Sequence, residues 1–426
     1  MSQNRVQIKP SKQKYLILSR WVFLLMLFFS TQPNTAYSID NLELSLKNKI
    51  TRLASKGSIL LNDESGNPLF SYGAARILIP ASIIKIYSAL VVYDILGADF
   101  HFKTEFYTDN HNNLVIKGWG DPFLISEEIH LITDELKKNL TSPVKQVYLD
   151  HSAFTDNLRI NGISHSLNPY DALNGALAVN FNTIFVKKDR LGKVYSAEEA
   201  TPLTPLALKK SRFIKRGSEE RINLTDSKKE SLQYAGELFF AFLNDQGIII
   251  HNKQISYIKT DHSWQLKLRH FNRRSLDTII RALFKYSNNY IANQLFLVTG
   301  AEKRDYPATL EKSRAVFQAY LVSHFPQANS SIIIDEASGI SRNNRMSGTI
   351  MMHILSHFKP HSDLLNLKNK ILIKSGTLTG VYNYAGYFVT QKGLRPFVIM
   401  TNQKKNHRNR ILKLLHQYSK QKTSPF

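Results

Sequence analysis

The chain has 426 residues, more than one ordinary hydrophobic core accommodates, which predicts two domains or one large domain with an insertion. Hydrophobic residues make up 43% of the sequence, with 24 Phe and 19 Tyr, which excludes a disordered chain. The sequence contains no Cys, which excludes disulfides and any enzyme with a cysteine nucleophile. The net charge of +23 indicates an anionic environment or merely a solvated basic surface, and no compact nucleic-acid motif accompanies it.

The first segment has the layout of a secretory signal peptide. Five basic residues precede or interrupt its apolar part, residues 21–29 are uniformly apolar, and the small-x-small sequence Ala36-Tyr37-Ser38 follows. The apolar run is shorter than the roughly 20 residues that a bilayer span needs, although residues 15–19 could extend it into an uncleaved anchor. We expect a signal peptide over residues 1–38 and an exported chain, periplasmic or associated with the cell wall. Its removal takes away five positive and no negative charges, so the net charge falls from +23 to +18.

Both ends of the remaining chain predict strands and helices of similar character. Residues 57–61 and 69–72 predict a hairpin, and an apolar helix is expected from Ser82 to Leu96, between Pro80 and Gly97. Near the other end, two strands over residues 381–390 and 395–402 precede a basic helix around 408–418. One sheet built from both ends is the simplest arrangement. We therefore expect a discontinuous domain of residues 39–106 plus 271–426, with an inserted accessory domain of residues 107–270.

Ser82 and Lys85 form the first candidate for catalytic chemistry. Their spacing of three places the hydroxyl and the amine on one face of a helix, close to the free N–H groups at its start. Apolar neighbours would bury the amine and lower its pKa, so that it could act as a base. The spacing alone is weak evidence, because the same Ser-x-x-Lys pattern begins at five other serines: Ser11, Ser142, Ser256, Ser356 and Ser419.

Two further motifs supply polar groups of suitable kinds. Ser287-Asn288-Asn289 lies between two apolar helical stretches and could present a hydroxyl and an amide to a cleft, although a capping turn is the more common reason for such a sequence. Lys374-Ser375-Gly376-Thr377 precedes a predicted strand. A strand edge with a lysine, hydroxyls and a glycine can bind a substrate carboxylate, but basic residues at an edge also discourage aggregation.

The order Ser-x-x-Lys, Ser-x-Asn, Lys-Ser-Gly is the three-part signature of serine penicillin-recognising enzymes. The chain resembles the class C low-molecular-mass penicillin-binding proteins, the D-alanyl-D-alanine carboxypeptidase/endopeptidase family. The likeness spans roughly residues 50–400. Besides the three motifs it includes residues 78–82, 102–107, 117–122, 168–170, 175–182 and 338–345.

The resemblance implies an α/β (α+β) fold, with an antiparallel sheet flanked by helices and a smaller inserted domain. It implies catalytic roles for Ser82, Lys85, Ser287 and Lys374, and substrate binding by Asn289, Ser375, Gly376 and Thr377. The expected partners are peptidoglycan stem peptides and, as covalent inhibitors, β-lactams. No metal or other cofactor is expected. Asp121 and Arg342 are weaker candidates for contacting the zwitterionic end of a cell-wall diamino acid.

The sequence departs from the family pattern near Ser287. Asn288 stands where the family often has Asp, and Asn293 where an acidic residue is common. The third motif has Ser375 in place of Thr, and residues 335–337 lead into the Ser-Gly block in an altered form. The lost acids could alter the pKa of Lys85. In another register, Tyr286-Ser287-Asn288 fits the Tyr-x-Asn motif of another β-lactamase class, but the flanking residues favour Ser-x-Asn.

Three other functions compete with this interpretation. A β-lactamase would use the same nucleophile with an efficient deacylating base, and a catalytically weak peptidoglycan-binding protein would keep only the fold. A zinc peptidase would need His353, His357 and His361, but no Glu accompanies them as in His-Glu-x-x-His, and Pro360 should end their helix.

The basic segment 404–422 would suit weak association with an anionic membrane or wall surface, although a solvated helix is the commoner explanation.

Overall fold

The computed structural model describes residues 33–140, 143–326 and 332–422. Residues 1–32, most of the expected signal peptide, lie outside the described residues, and residues 33–38 already belong to the first described helix. No helix in the described ranges has the length and apolar character needed to cross a membrane.

The described ranges contain helices and strands in an α+β arrangement. The α-helices are α1 (Pro33–Leu53), α2 (Lys85–Leu96), α3 (Ser126–Asn139), α4 (Pro205–Lys210), α5 (Lys228–Asp245), α6 (Leu276–Tyr286), α7 (Asn289–Arg304), α8 (Leu310–His324), α9 (Gly348–Phe358) and α10 (Arg408–Gln421). The strands are β1 (Gly57–Asn62), β2 (Pro68–Tyr72), β3 (Ile77–Leu78), β4 (His101–Thr108), β5 (Leu114–Gly118), β6 (Val144–Asp150), β7 (Thr183–Lys188), β8 (Val194–Ser196), β9 (Ser218–Asn223), β10 (Ile250–Tyr257), β11 (Gln265–Ser275), β12 (Ile332–Ile333), β13 (Arg345–Ser347), β14 (Asn366–Lys368), β15 (Ile371–Leu378), β16 (Val381–Thr390) and β17 (Gly393–Thr401).

The largest sheet is built from both ends of the chain. Its six strands run in the order β14-β15-β16-β17-β1-β2, and every neighbouring pair is antiparallel. Side chains alternate between its faces: Ile59 and Leu61 pack with α1 and α10, while Leu60 packs with the helices of the opposite face. The predicted hairpin, the two late strands and the shared sheet are confirmed.

A second sheet lies within the middle of the chain. It has the order β10-β6-β5-β4-β11 and mixes parallel and antiparallel pairs, and a separate small sheet has the order β8-β7-β9. These strands share a core with α3, α4 and α5 that is distinct from the cores beside the largest sheet. The insertion boundaries at 107 and 270 stay a prediction. Both positions fall inside strands, because β4 spans residues 101–108 and β11 spans residues 265–275.

The apolar segment that follows Pro80 is helical as predicted. A 3₁₀ turn over Ala81–Ile84 leads into α2, and the helix ends at Gly97, whose φ is 83°. Residues 85–93 are buried without exception, which explains why their sequence is apolar almost all round. The helix therefore places its first turn inside the protein, beneath β15.

Candidate active site

The segment that precedes Ser82 is fixed by two side-chain amides of the largest sheet. The Nδ2 group of Asn383 donates hydrogen bonds to the carbonyl oxygens of Ile79 (2.9 Å) and Pro80 (2.7 Å). The Oδ1 atom of Asn402 accepts from the N–H of Ile79 at 2.8 Å. Asn383 is fully buried in an otherwise apolar strand. The position of Ser82 is thus set by β16 and by the residue after β17, and neither asparagine belongs to the three sequence motifs.

Two glycines allow neighbouring segments to approach Ser82 closely. A Cβ atom on Gly376 would lie 2.7 Å from the carbonyl oxygen of Pro80 and 3.1 Å from the nitrogen of Ser82. A Cβ atom on Gly339 would lie 2.1 Å from the carbonyl oxygen of Ala81, and Gly339 also has a φ of 83°. Any side chain at either position would push β15 or the Ser-Gly block away from the hydroxyl.

Lys85 is in contact with the Ser82 hydroxyl. Its Nζ atom lies 3.1 Å from Ser82 Oγ, 2.8 Å from Asn289 Oδ1 and 2.6 Å from the carbonyl oxygen of Ser338. The Lys85 side chain is fully buried, and no salt bridge to it is present among the described residues. All three neighbours are neutral, so the amine is oriented by hydrogen bonds and not by a counter-ion.

The electrostatic surroundings favour a neutral Lys85. Burial and the positive charge of Lys374 hold the pKa of the Lys85 amine well below its usual value of 10.5, and the carboxylate of Glu336 opposes them only partly. An amine whose pKa is lowered in this way can be neutral and accept a proton from a hydroxyl.

Lys374 and Ser287 form the second half of the arrangement. Ser287 lies in the left-handed region, with φ 51°, between α6 and α7, and its Oγ accepts a hydrogen bond of 2.8 Å from Lys374 Nζ. Lys374 also donates to the carbonyl oxygen of Ser375 at 2.7 Å. Burial and the nearby guanidinium of Arg408 lower the pKa of Lys374 to about 8. Two hydroxyls, each beside a buried amine, therefore lie in one region.

The departures at Asn288 and Asn293 have structural explanations. Asn288 Oδ1 accepts from the N–H of Ile291 at 3.0 Å and so caps α7, a role that Asn and Asp share. Asn293 is buried and accepts from the N–H of Ala337 at 2.9 Å. Each amide keeps an oxygen acceptor, and the neutral side chains add no negative charge near the lysines. Tyr286 is exposed, so Ser287 and Asn289 are the pair that contacts the lysines.

The altered sequence before the Ser-Gly block contains a buried carboxylate, Glu336, which holds the block in place by hydrogen bonds. Glu336 is fully buried and accepts hydrogen bonds from five donors: the N–H and hydroxyl of Ser338, the N–H of Gly339, the N–H of Ser341 and the amide of Asn344. The carbonyl oxygen of Ser338, which contacts Lys85, is thereby held in place. From the sequence alone Glu336 is only a departure from the family pattern, and its position directly before a Ser-Gly turn is the one local sign of this role.

These groups open onto a cleft of about 810 Å³. Its walls include Ser82, Ser287, Asn289 and Thr377, and also Arg342. Lys85, Lys374 and Gly376 lie behind them in the interior. Ser375 is exposed on the same side of β15 as Thr377, as strand alternation requires. The predicted catalytic and substrate-binding residues are therefore brought together.

The weaker candidates are placed differently. Asp121 is buried, accepts from Asn272 at 2.8 Å and does not line the cleft, and burial raises its pKa to about 6. The structure does not bring Asp121 to this cleft, because its carboxylate is hydrogen-bonded inside the protein, and its contact with substrate stays a prediction. Two of the three histidines of the zinc alternative pack on separate aromatic rings: His357 on Phe325 and His361 on Tyr93. Within the described ranges no group of three or more acidic or histidine side chains could hold a metal.

Comparisons with known proteins give a consistent family. The model of the D-Ala-D-Ala carboxypeptidase 3 (S13) family matches residues 40–371. D-alanyl-D-alanine carboxypeptidase DacB of Haemophilus influenzae is 23% identical over 433 aligned residues, which cover 87% of this chain and 89% of that protein. The D-alanyl-D-alanine carboxypeptidase of an Actinomadura species is 25% identical over 123 residues, or 27% of this chain and 23% of that protein.

The solved structures support the fold. The crystal structure of penicillin binding protein 4 from Haemophilus influenzae has a TM-score of 0.71 and 17% identity, and the match covers 88% of this chain and 98% of that one. The same protein complexed with a β-lactam has a TM-score of 0.67 and 18% identity, with the same coverage. The predicted fold class is confirmed.

Proposed function

The chain belongs to the D-Ala-D-Ala carboxypeptidase 3 (S13) family, and we propose that it trims peptidoglycan stem peptides through an acyl-enzyme formed on Ser82. One observation carries this proposal above all: the fully buried Lys85 amine lies 3.1 Å from Ser82 Oγ, and its pKa is held well below 10.5 by burial and by Lys374. A neutral amine at hydrogen-bond distance is the base that a serine nucleophile needs.

In the first half of the reaction, Ser82 Oγ attacks the carbonyl carbon between the two D-alanines, while Lys85 Nζ accepts the hydroxyl proton. The N–H groups of Ser82 and Thr377 stabilise the oxyanion, each by about 3 kcal/mol. The close approach of Gly376 to the nitrogen of Ser82 supports this placement. The carbon–nitrogen bond then breaks and leaves an ester on Ser82.

The leaving amine of the terminal D-alanine needs a proton. Ser287 relays to it the proton that Lys85 took from Ser82, which returns Lys85 to its neutral form; the Ser287 hydroxyl accepts a hydrogen bond from Lys374 and faces the same cleft as Ser82. Asn289 holds the substrate amide, and Ser375 and Thr377 bind the terminal carboxylate beside Lys374. Water then attacks the ester carbonyl while the neutral Lys85 takes the water proton; the ester carbon–oxygen bond breaks, Lys85 returns the proton to Ser82 Oγ, and the shortened peptide leaves as a carboxylate. These reaction steps use only side chains and backbone groups of the chain, together with water.

β-Lactams fit the same site as covalent inhibitors, since opening of the lactam ring by Ser82 yields an ester that persists if water attacks slowly. Because peptidoglycan lies outside the cytoplasm, we expect an exported protein, periplasmic or at the cell wall, in agreement with the expected signal peptide over residues 1–38. Release of D-alanine from a terminal residue and cleavage of a cross-link would use the same chemistry.

The direct test is D-alanine release from diacetyl-L-lysyl-D-alanyl-D-alanine. We expect turnover by the wild type and none by Ser82→Ala, with Ser88→Ala as the matched control, since Ser88 lies on the same buried helix and bonds only to backbone carbonyls. Equal activity of Ser82→Ala and the wild type would overturn the proposal. Penicillin consumed without a lasting adduct would instead indicate a β-lactamase.

A further inference from the structure

Arg408, the first residue of α10, reaches across the largest sheet to the third motif. Its guanidinium stacks on the Tyr384 ring at 4.6 Å from the ring centroid, and Nη1 donates to Thr377 Oγ1 at 2.6 Å and to the carbonyl oxygen of Gly376 at 3.2 Å. The chain thus returns, about 30 residues after β15, to the strand that forms one wall of the cleft. The resemblance of the sequence to its family assigned no role to this residue.

The hydrogen bond between Arg408 and Thr377 determines which way the hydroxyl points. A guanidinium has only donors, so Thr377 Oγ1 must be the acceptor in this pair. The hydroxyl proton of Thr377 is therefore free for another acceptor, and Thr377 lines the cleft that contains Ser82. A hydroxyl that already accepts from a cation is a stronger donor than an isolated one.

The charge of Arg408 is not neutralised within the described part of the chain. No salt bridge joins Arg408 to a carboxylate among the described residues. Its Nε atom is buried and has no hydrogen-bond partner among them. Lys374 is close enough for Arg408 to act on it, since burial and the charge of Arg408 lower the pKa of Lys374. Two positive groups, Arg408 and Lys374, therefore lie at one end of the cleft, and an anion bound there would relieve their mutual repulsion.

We propose that Arg408 is a positioning residue that sets specificity for an anionic C-terminus, by fixing the Thr377 hydroxyl as a donor to the terminal carboxylate of the substrate. The proposal rests on the function proposed above and adds to it the determinant of the carboxylate requirement. It also gives α10 a role in substrate selection besides its packing against the sheet.

The test compares acylation of the purified protein by penicillin G, which carries a carboxylate, with acylation by penicillin G methyl ester, which does not. We expect Arg408→Met to lower the acylation rate constant for penicillin G by about ten- to a hundredfold, because a charge-assisted hydrogen bond is removed. The rate constant for the ester should change by less than about threefold. Arg408→Lys should restore part of the preference, and Arg410→Met, two residues along the same helix and exposed, should change neither rate.

A second comparison tests the path through Thr377. Thr377→Val should produce the same selective loss, and adding Arg408→Met to it should cost little more, since both changes remove one interaction. Independent, multiplying effects would overturn the path through Thr377. Equal losses for penicillin G and its ester, or no loss for either, would overturn the specificity role. A wild-type protein that neither compound acylates would contradict the proposed function itself, which is a different result.

Discussion

Buried charge is handled in opposite ways beside the cleft and in the region of the second sheet, residues 101–275, called here the accessory region. In the cleft, Lys85 and Lys374 are buried beside neutral hydroxyl, amide and carbonyl groups. In the accessory region, His270 is buried between two carboxylates, with Nε2 at 2.8 Å from Glu128 and Nδ1 at 3.0 Å from Glu135. Arg274 completes that cluster through a contact of 2.9 Å with Glu128.

The two arrangements shift pKa values in opposite directions. In the cleft, burial without a counter-ion lowers the pKa of both lysines. At His270, burial also acts to lower the pKa, but the hydrogen bonds with Glu128 and Glu135 outweigh it and the pKa is raised. Burial without a partner thus prepares a group to exchange protons, whereas burial with a partner holds its charge and stabilises the fold.

The largest effect should follow from removing the unpaired amine. We expect Lys85→Met to lower the rate of acylation by penicillin G by about 10²–10⁴, the usual contribution of a general base. Intact-protein mass against time measures the rate, and the melting temperature reports folding. Lys210→Met is the matched control, because Lys210 is paired with Glu230 at 2.6 Å in the accessory region and should not affect the rate. A Lys85→Met protein that is folded and acylated normally would contradict the comparison.

Removing the paired histidine should affect stability and not acylation. We expect His270→Gln to lower the free energy of unfolding by about 1–3 kcal/mol at pH 5, since Glu128 and Glu135 lose a charged donor. The folded pKa of His270 is raised above its unfolded value of about 6.5, so its stabilisation is complete below that pH and is lost as pH rises through the folded pKa. Urea unfolding of the variant and the wild type at pH 5 and pH 9 measures the difference, which should shrink at the higher pH.

The smallest effect concerns the departure at position 288. Asn288→Ala removes the cap of α7 and should cost about 1 kcal/mol of unfolding free energy, whereas Asn288→Asp keeps the acceptor and should be within about 0.5 kcal/mol of the wild type. Chemical denaturation of the three proteins compares them. A large gain in acylation rate on Asn288→Asp would mean that the lost acid matters to the chemistry and not only to the helix.

Much of the fold and of the site could be predicted from the sequence, because local patterns determine the helix after Pro80 and the strands of the largest sheet. Pro80, an apolar run and Gly97 specify the buried helix that places Ser82 and Lys85 on one side, and the apolar strands near both ends specify the shared sheet. What could not be predicted depends on contacts distant in sequence. Asn383 holds a segment 303 residues away, and Arg408 reaches a strand 31 residues earlier, and neither residue type carries a local signal of its partner.

The pH dependence of Ser82 acylation by penicillin G tests the account most directly. Because the pKa of Lys85 is held well below 10.5, the rate should rise from acid and reach its plateau well below pH 10. Asn289→Asp, which places a carboxylate against the amine at the 2.8 Å contact, should move the midpoint upward by about one unit or more and lower the rate at pH 7. A wild-type rate that is still rising through pH 10, and a midpoint that Asn289→Asp leaves unchanged, would contradict the claim that an unpaired, neutral Lys85 activates Ser82.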